Sequence, residues 1–161
     1  MAFSMSDTID GVIKREGPAT NDPKDLGGRT QLGISENANP EAWKDGVVTA
    51  EEAQAIYTQK YVKSPHFDMI QDPHLFLQLV DTGVLSGPEI AIRKLQEILK
   101  VTVDGVLGPE TLAALALQNP KVVNNQLVIA RIRMICRIVQ KAPAQIKFLC
   151  GWCDRALSFL V

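Results

Sequence analysis

Glu16-Gly17-Pro18-Ala19-Thr20-Asn21-Asp22-Pro23-Lys24-Asp25-Leu26-Gly27-Gly28-Arg29-Thr30 is the stretch on which the reading of this chain turns. Just before it, Ile9, Val12, Ile13 and Glu16 fall at i, i+3, i+4 and i+7, the spacing of one apolar helix face. Gly17 suits the position just past a helix end, and Pro18 prevents the helix continuing. Glu16 is therefore expected half against a core and beside the negative end of the helix dipole. Both settings favour its protonated form. Further on, Asp22-Pro23 and Leu26-Gly27-Gly28 are turn signals, and Thr30-Gln31-Leu32-Gly33-Ile34 alternates as a short strand would. The spacing predicts a two- or three-stranded hairpin after the first helix, with Asp25 ionised on its solvated rim.

Cleaving a sugar–sugar bond needs one carboxyl that arrives protonated and a second that stays ionised on the far side of the ring. A hydroxyl beside the second can hold the attacking water. Glu16 fits the acid, Asp25 the base and Thr30 the hydroxyl, with Asp22 as the rival second carboxylate. Asp in such contexts also serves as plain turn chemistry, so the residue types alone leave both readings open.

The run Glu16-Gly17 … Asn21-Asp22-Pro23-x-Asp25-x-Gly27-Gly28-x-Thr30-x-x-Gly33-Ile34 resembles glycoside hydrolase family 108, a family of N-acetylmuramidases found in bacteriophage endolysins and prophages. Later segments are similar too: Tyr57 and Tyr61, Asp81-Thr82-Gly83-Val84, Ser86-Gly87-Pro88, Leu95-Gln96, Asp104-Gly105-Val106-Leu107-Gly108-Pro109 and Thr111. These later segments resemble the peptidoglycan-binding region usually joined to the catalytic motif. Two departures stand out: Pro18-Ala19 where the family commonly has Gly-Tyr, and Leu32 where an aromatic often stands. Neither touches the acid, the base or the hydroxyl.

The resemblance implies a lysozyme-like α+β fold, mainly α-helical, with a small N-terminal β-hairpin lobe and a helical lobe. Residues 1–85 would form the catalytic region and 86–161 a helical peptidoglycan-binding-like region packed with it as one body, a cleft lying between helical lobe and hairpin. The implied reaction is hydrolysis of the β-1,4 bond between N-acetylmuramic acid and N-acetylglucosamine. Asp22, Gln31, Tyr57 and Tyr61 would contact the sugars, and no cofactor or metal is required. A non-catalytic wall-binding module and a lytic transglycosylase, in which one glutamate suffices, remain as alternatives. Carboxyls about 6.5–9.5 Å apart would imply inversion, and about 5–5.5 Å retention.

The rest of the chain reads as helices. Thr49-Ala50-Glu51-Glu52 is a capping-box pattern opening a helix through Ala53, Ile56, Tyr57 and Tyr61. Further helices are expected over Pro73 to Val84, Pro88 to Leu99, Glu110 to Leu117, Lys121 to Lys141 and Ala144 to Leu160.

The formal net charge is −1, but residues 111–161 hold one acid, Asp154, against seven bases. That basic end suits contact with an anionic bacterial envelope. No nucleic-acid partner is implied, and a monomer is expected. The apolar end from Ile146 to Val161 suits either a core-facing helix or a membrane surface. Cys136, Cys150 and Cys153 are too few and uneven for a disulfide framework, and the lone CxxC spacing suits small buried side chains. His66 and His74 have no metal-site spacing. Met1 to Asp7 carries neither a basic nor an apolar leader. The expected location is therefore the host cytoplasm, and the family resemblance implies release to the periplasm and wall through holin-made holes.

Overall fold

The computed structural model describes residues 9–11, 13 and 29–161. Glu16, Asp22 and Asp25 lie outside the described residues. The chain divides into two compact units, Met1–Ser64 and Pro65–Val161. The described elements form an α+β fold that is mainly helical, with one small two-stranded antiparallel sheet.

In the first unit, residues 9–11 and 13 are helical, and Ile9 and Ile13 are both buried, as their i, i+4 spacing predicts. Strands β1 (Thr30–Gln31) and β2 (Ile34–Ser35) follow, paired Thr30 to Ser35 and Gln31 to Ile34. The single strand expected over Thr30 to Ile34 is thus a hairpin folded within those five residues. The cause is its two central positions: Leu32 and Gly33 both take positive φ, 52° and 74°, as a type I′ turn demands. A 3₁₀ turn over Pro40–Trp43 then buries Ala42 and Trp43.

Helix α1 (Ala50–Thr58) begins where the capping box places it. The Glu52 N–H donates to Thr49 Oγ1 at 3.2 Å, and the Thr49 N–H donates to Glu52 Oε2 at 2.9 Å. Its Gln54 side chain donates to Asp10 Oδ1 at 3.1 Å, tying α1 to the N-terminal helical residues. Beyond Thr58 the coil widens to a π-helix over Gln59–Lys63, closed by Ser64 N–H on the Gln59 carbonyl at 2.8 Å.

The second unit is helical throughout. Helix α2 (Pro73–Ser86) is capped by Asp72, which accepts from the Leu75 N–H at 2.9 Å. Helices α3 (Pro88–Leu99), α4 (Pro109–Ala116) and α5 (Pro120–Lys141) follow. Each of the four starts on a proline, whose missing N–H is one the first turn leaves unbonded in any case. The final helix expected from Ala144 to Leu160 is two pieces, a 3₁₀ segment over Pro143–Phe148 and α6 (Leu149–Leu157). Helix α5 packs on α2, α3 and α6.

Polar groups run through this core rather than around it. Asp81 on α2 is bound by Arg131 of α5, Nη2 to Oδ2 at 2.8 Å, and by Arg155 of α6, Nη2 to Oδ1 at 2.9 Å. Beside them the Gln78 amide donates to Asn124 Oδ1 at 2.6 Å, and Asn124 Nδ2 donates to the Phe159 carbonyl at 2.7 Å. Two of the seven bases counted in the C-terminal third are therefore held by this carboxylate.

Candidate active site

The hairpin presents two faces, because side chains alternate along a strand and cross-strand partners share a face. Gln31 and Ile34 form one face, with Arg29 and Glu36 in line on it. Thr30 and Ser35 form the other. The first face is bound inward. Ile34 is buried, and the Val48 N–H donates to Gln31 Oε1 at 3.2 Å. The Arg29 guanidinium grips Glu36 with two parallel hydrogen bonds, Nε to Oε2 and Nη2 to Oε1, each 2.8 Å. Its Cζ also lies 4.7 Å from the ring centroid of the buried Trp43. The Arg29 contact holds the Glu36 carboxyl below the usual range, and Glu36 in turn raises the Arg29 guanidinium.

Thr30 is therefore fixed in place by bonds made on the other side of its own strand. It is half-buried, and its register partner is Ser35. The sequence reading did not single out Arg29, Glu36 or Trp43. The signal was present: once Leu32-Gly33 is taken as a two-residue turn, Arg29 and Glu36 become opposite-charge partners across the strands.

Two sugar-contact expectations change with the structure. Tyr57 is only 3% exposed and belongs to the core, which leaves Tyr61 to offer a ring. Their centroids are 5.4 Å apart and tilted by 34°, so the buried ring backs the outer one. Gln31 has its carbonyl oxygen committed to Val48, which makes it a brace of the hairpin.

In the second unit, the Asp104-Gly105 motif forms a loop organised by one buried amide. Gln96 Nε2 donates to Asp104 Oδ1 at 2.7 Å, to the Val106 carbonyl at 2.9 Å and to Thr111 Oγ1 at 3.1 Å. Its Oε1 accepts from the Gly105 N–H at 2.9 Å. Gly105 has φ +80°, and a Cβ there would stand 2.6 Å from Glu89 Cγ, so the turn needs glycine. Arg93 closes the loop from outside, donating to the Val103 and Asp104 carbonyls at 2.8 and 3.1 Å. Among the described residues no cluster of three or more His, Cys, Asp or Glu is placed to hold a metal.

Residues 9–87 match the family described as Glycosyl hydrolase 108, and residues 90–157 the family described as Predicted Peptidoglycan domain. No curated protein matches the chain. Among solved structures it is similar to Brucella abortus SagA, at 27% identity over 96% of this chain and 94% of that one, with a TM-score of 0.71. The class these findings define is a lysozyme-like α+β glycoside hydrolase. The chain carries a glycosyl hydrolase 108 domain over residues 9–87, with a peptidoglycan domain as its second region. Its substrate polymer is peptidoglycan.

Proposed function

We propose that this chain is an N-acetylmuramidase that hydrolyses the β-1,4 bond between N-acetylmuramic acid and N-acetylglucosamine. The observation that carries the proposal is the family match over residues 9–87, which includes Glu16, Asp22, Asp25, Thr30 and Tyr61. Glu16 protonates the leaving oxygen. Asp25 is the base, and Thr30 holds the water that attacks the opposite face of the ring, giving inversion. Asp22 and Tyr61 contact the sugars, while Arg29 and Gln31 keep the hairpin rigid behind Thr30. A catalytic group on a braced strand loses little time to misaligned geometries, which supports this division of labour.

The biological setting we propose is phage-driven lysis. The enzyme acts as a monomeric endolysin that gathers in the host cytoplasm and reaches the wall when a holin opens the inner membrane. Fractionating cells that express it with and without a holin tests this; periplasmic enzyme in intact cells lacking the holin would overturn it.

The activity is tested by digesting purified peptidoglycan and identifying the new ends by mass spectrometry. Reducing N-acetylmuramic acid ends are expected, and Glu16→Gln should abolish their release while leaving the melting curve unchanged. Anhydro ends would instead assign a lytic transglycosylase, and Asp25 would then be dispensable. Binding without release would leave a wall-targeting module.

A further inference from the structure

The surface where α2, α5 and α6 meet is apolar and edged with bases. Leu85, Ser86, Met134, Ile138 and Trp152 line a depression of about 160 Å³ there. Phe148 stacks on Trp152 with ring centroids 5.5 Å apart, and the Lys147 ammonium sits 4.8 Å over the Phe148 ring. Leu85 and Phe148 are each 45% exposed, Ile138 40% and Ile146 64%. The segment read from sequence as either a core-facing helix or a membrane surface thus leaves Ile146, Phe148, Leu157 and Leu160 exposed, while Leu149, Trp152 and Phe159 are half-buried.

Three bases edge this patch, with Asp154 on α6 facing solvent two residues beyond Trp152. Arg137 and Lys141 are exposed, flank Ile138 along α5 and stand one turn apart, with Lys147 on the following 3₁₀ segment. No acidic residue occurs between Thr111 and Cys153. A sugar site would need convergent hydrogen-bonding groups around an open aromatic face. Here Phe148 stacks on Trp152, and the Thr82 hydroxyl at the depression is spent on the Gln78 carbonyl at 2.7 Å. Among the described residues no helix is long and apolar enough to cross a membrane, so a lipid contact would lie in the surface plane.

We propose that this surface docks on an anionic lipid bilayer. Ile146, Phe148 and Trp152 enter the boundary between headgroups and acyl chains, and Arg137, Lys141 and Lys147 meet lipid phosphates. The inference is independent of the catalytic assignment, because none of these residues serves the reaction. Docking would hold the enzyme at the membrane side of its polymer substrate.

The test uses the full chain in vesicle flotation, comparing phosphatidylglycerol-containing vesicles with pure phosphatidylcholine. Wild type is expected to float with the anionic vesicles alone, and rising salt should release it. Arg137→Glu with Lys141→Glu should weaken that binding by about tenfold or more. Brominated lipids should quench wild-type tryptophan fluorescence, and the quenching should vanish in Trp152→Phe. Glu16→Gln should float like wild type, which separates docking from catalysis. The double charge variant is checked by thermal melting, and the quenching result on wild type stands whether or not that variant folds. Failure of wild type to float, equal binding to both vesicle types, or full binding by the folded charge variant would overturn the proposal. Loss of binding to lipid-free wall sacculi in the charge variant, with vesicles ignored by wild type, would assign the surface to a wall polymer instead.

Discussion

Arg131 Nη2 meets Asp81 Oδ2 at 2.8 Å with both side chains almost fully buried, 3% and 2% exposed. The two residues are fifty positions apart, on α2 and α5, and Arg155 adds a second guanidinium from α6. Asp81→Ala would leave two cations facing each other without a counter-charge. Removing one partner of a buried pair costs about 3–5 kcal/mol. We expect a melting temperature lower by at least ~6 °C, read by circular dichroism. A fall of under ~2 °C would mean that water reaches and screens the cluster.

Asp104 provides a pH dependence. The Val106 N–H and the Gln96 amide hold its carboxyl below the usual range. On acidification the unfolded chain takes up this proton first. The stability it contributes is therefore complete above the unfolded value, about 3.9, and is lost as pH falls through the lower folded value. Asp104→Asn should lower the urea midpoint at about pH 7, and the gap to wild type should narrow as the pH falls below the unfolded value of about 3.9. A gap constant across that window would show that the side chain matters only as a neutral acceptor.

Leu32 occupies a turn position that suits another residue. Its φ of 52° is uncommon for a branched apolar side chain, whereas Asn-Gly is the preferred pair for a type I′ turn. Leu32→Asn should stabilise the hairpin by about 0.5–1 kcal/mol, after the loss of some apolar contact. Urea denaturation reads this directly, and a lower midpoint would mean that the Leu32 side chain packs better than its half-exposure suggests.

Thr30 and Ser35 share one hairpin face, which lets the water-holding role proposed for Thr30 be separated from simple neighbourhood. Thr30→Val keeps the shape and removes the hydroxyl, so peptidoglycan turnover should fall about a hundredfold without a change in melting. Ser35→Ala should keep activity within about threefold, since serine supplies no positioned water in this scheme. Equal losses in both variants would point to a disturbed hairpin rather than to chemistry at Thr30.

Local signals in the sequence located most helices. Thr49 and Glu52 announce α1, and the prolines at 73, 88, 109 and 120 mark helix starts, because caps and prolines act on their own few residues. The hairpin was misplaced because alternating Thr30, Leu32 and Ile34 fits a strand as well as it fits two strands around a tight turn. The Asp81 cluster was not legible at all, since its members lie on three helices and only packing brings them together. That packing also changes the charge argument: Arg131 and Arg155 enter the C-terminal excess of bases in sequence but serve the interior in the fold. Around the candidate site, the bracing contacts of Arg29 and Gln31 depend on the turn and so were not legible in the sequence.

The π segment at Gln59–Lys63 sets the rotational phase of everything before it. A π turn accommodates one more residue than an α turn over the same rise, and each α-helical residue advances about 100° around the axis. Deleting one of Gln59, Lys60 or Tyr61 would let the coil relax to regular pitch while leaving the two sides of the helix close to their present phase. Tyr57 and Val62, both buried, stand five positions apart, which α pitch would set about 140° apart; four apart after the deletion, they would still share a face. The segment behaves as a take-up for one surplus residue: it can lose that residue and keep the phase, whereas the same loss inside the regular turns of α1 would rotate one side by about 100°.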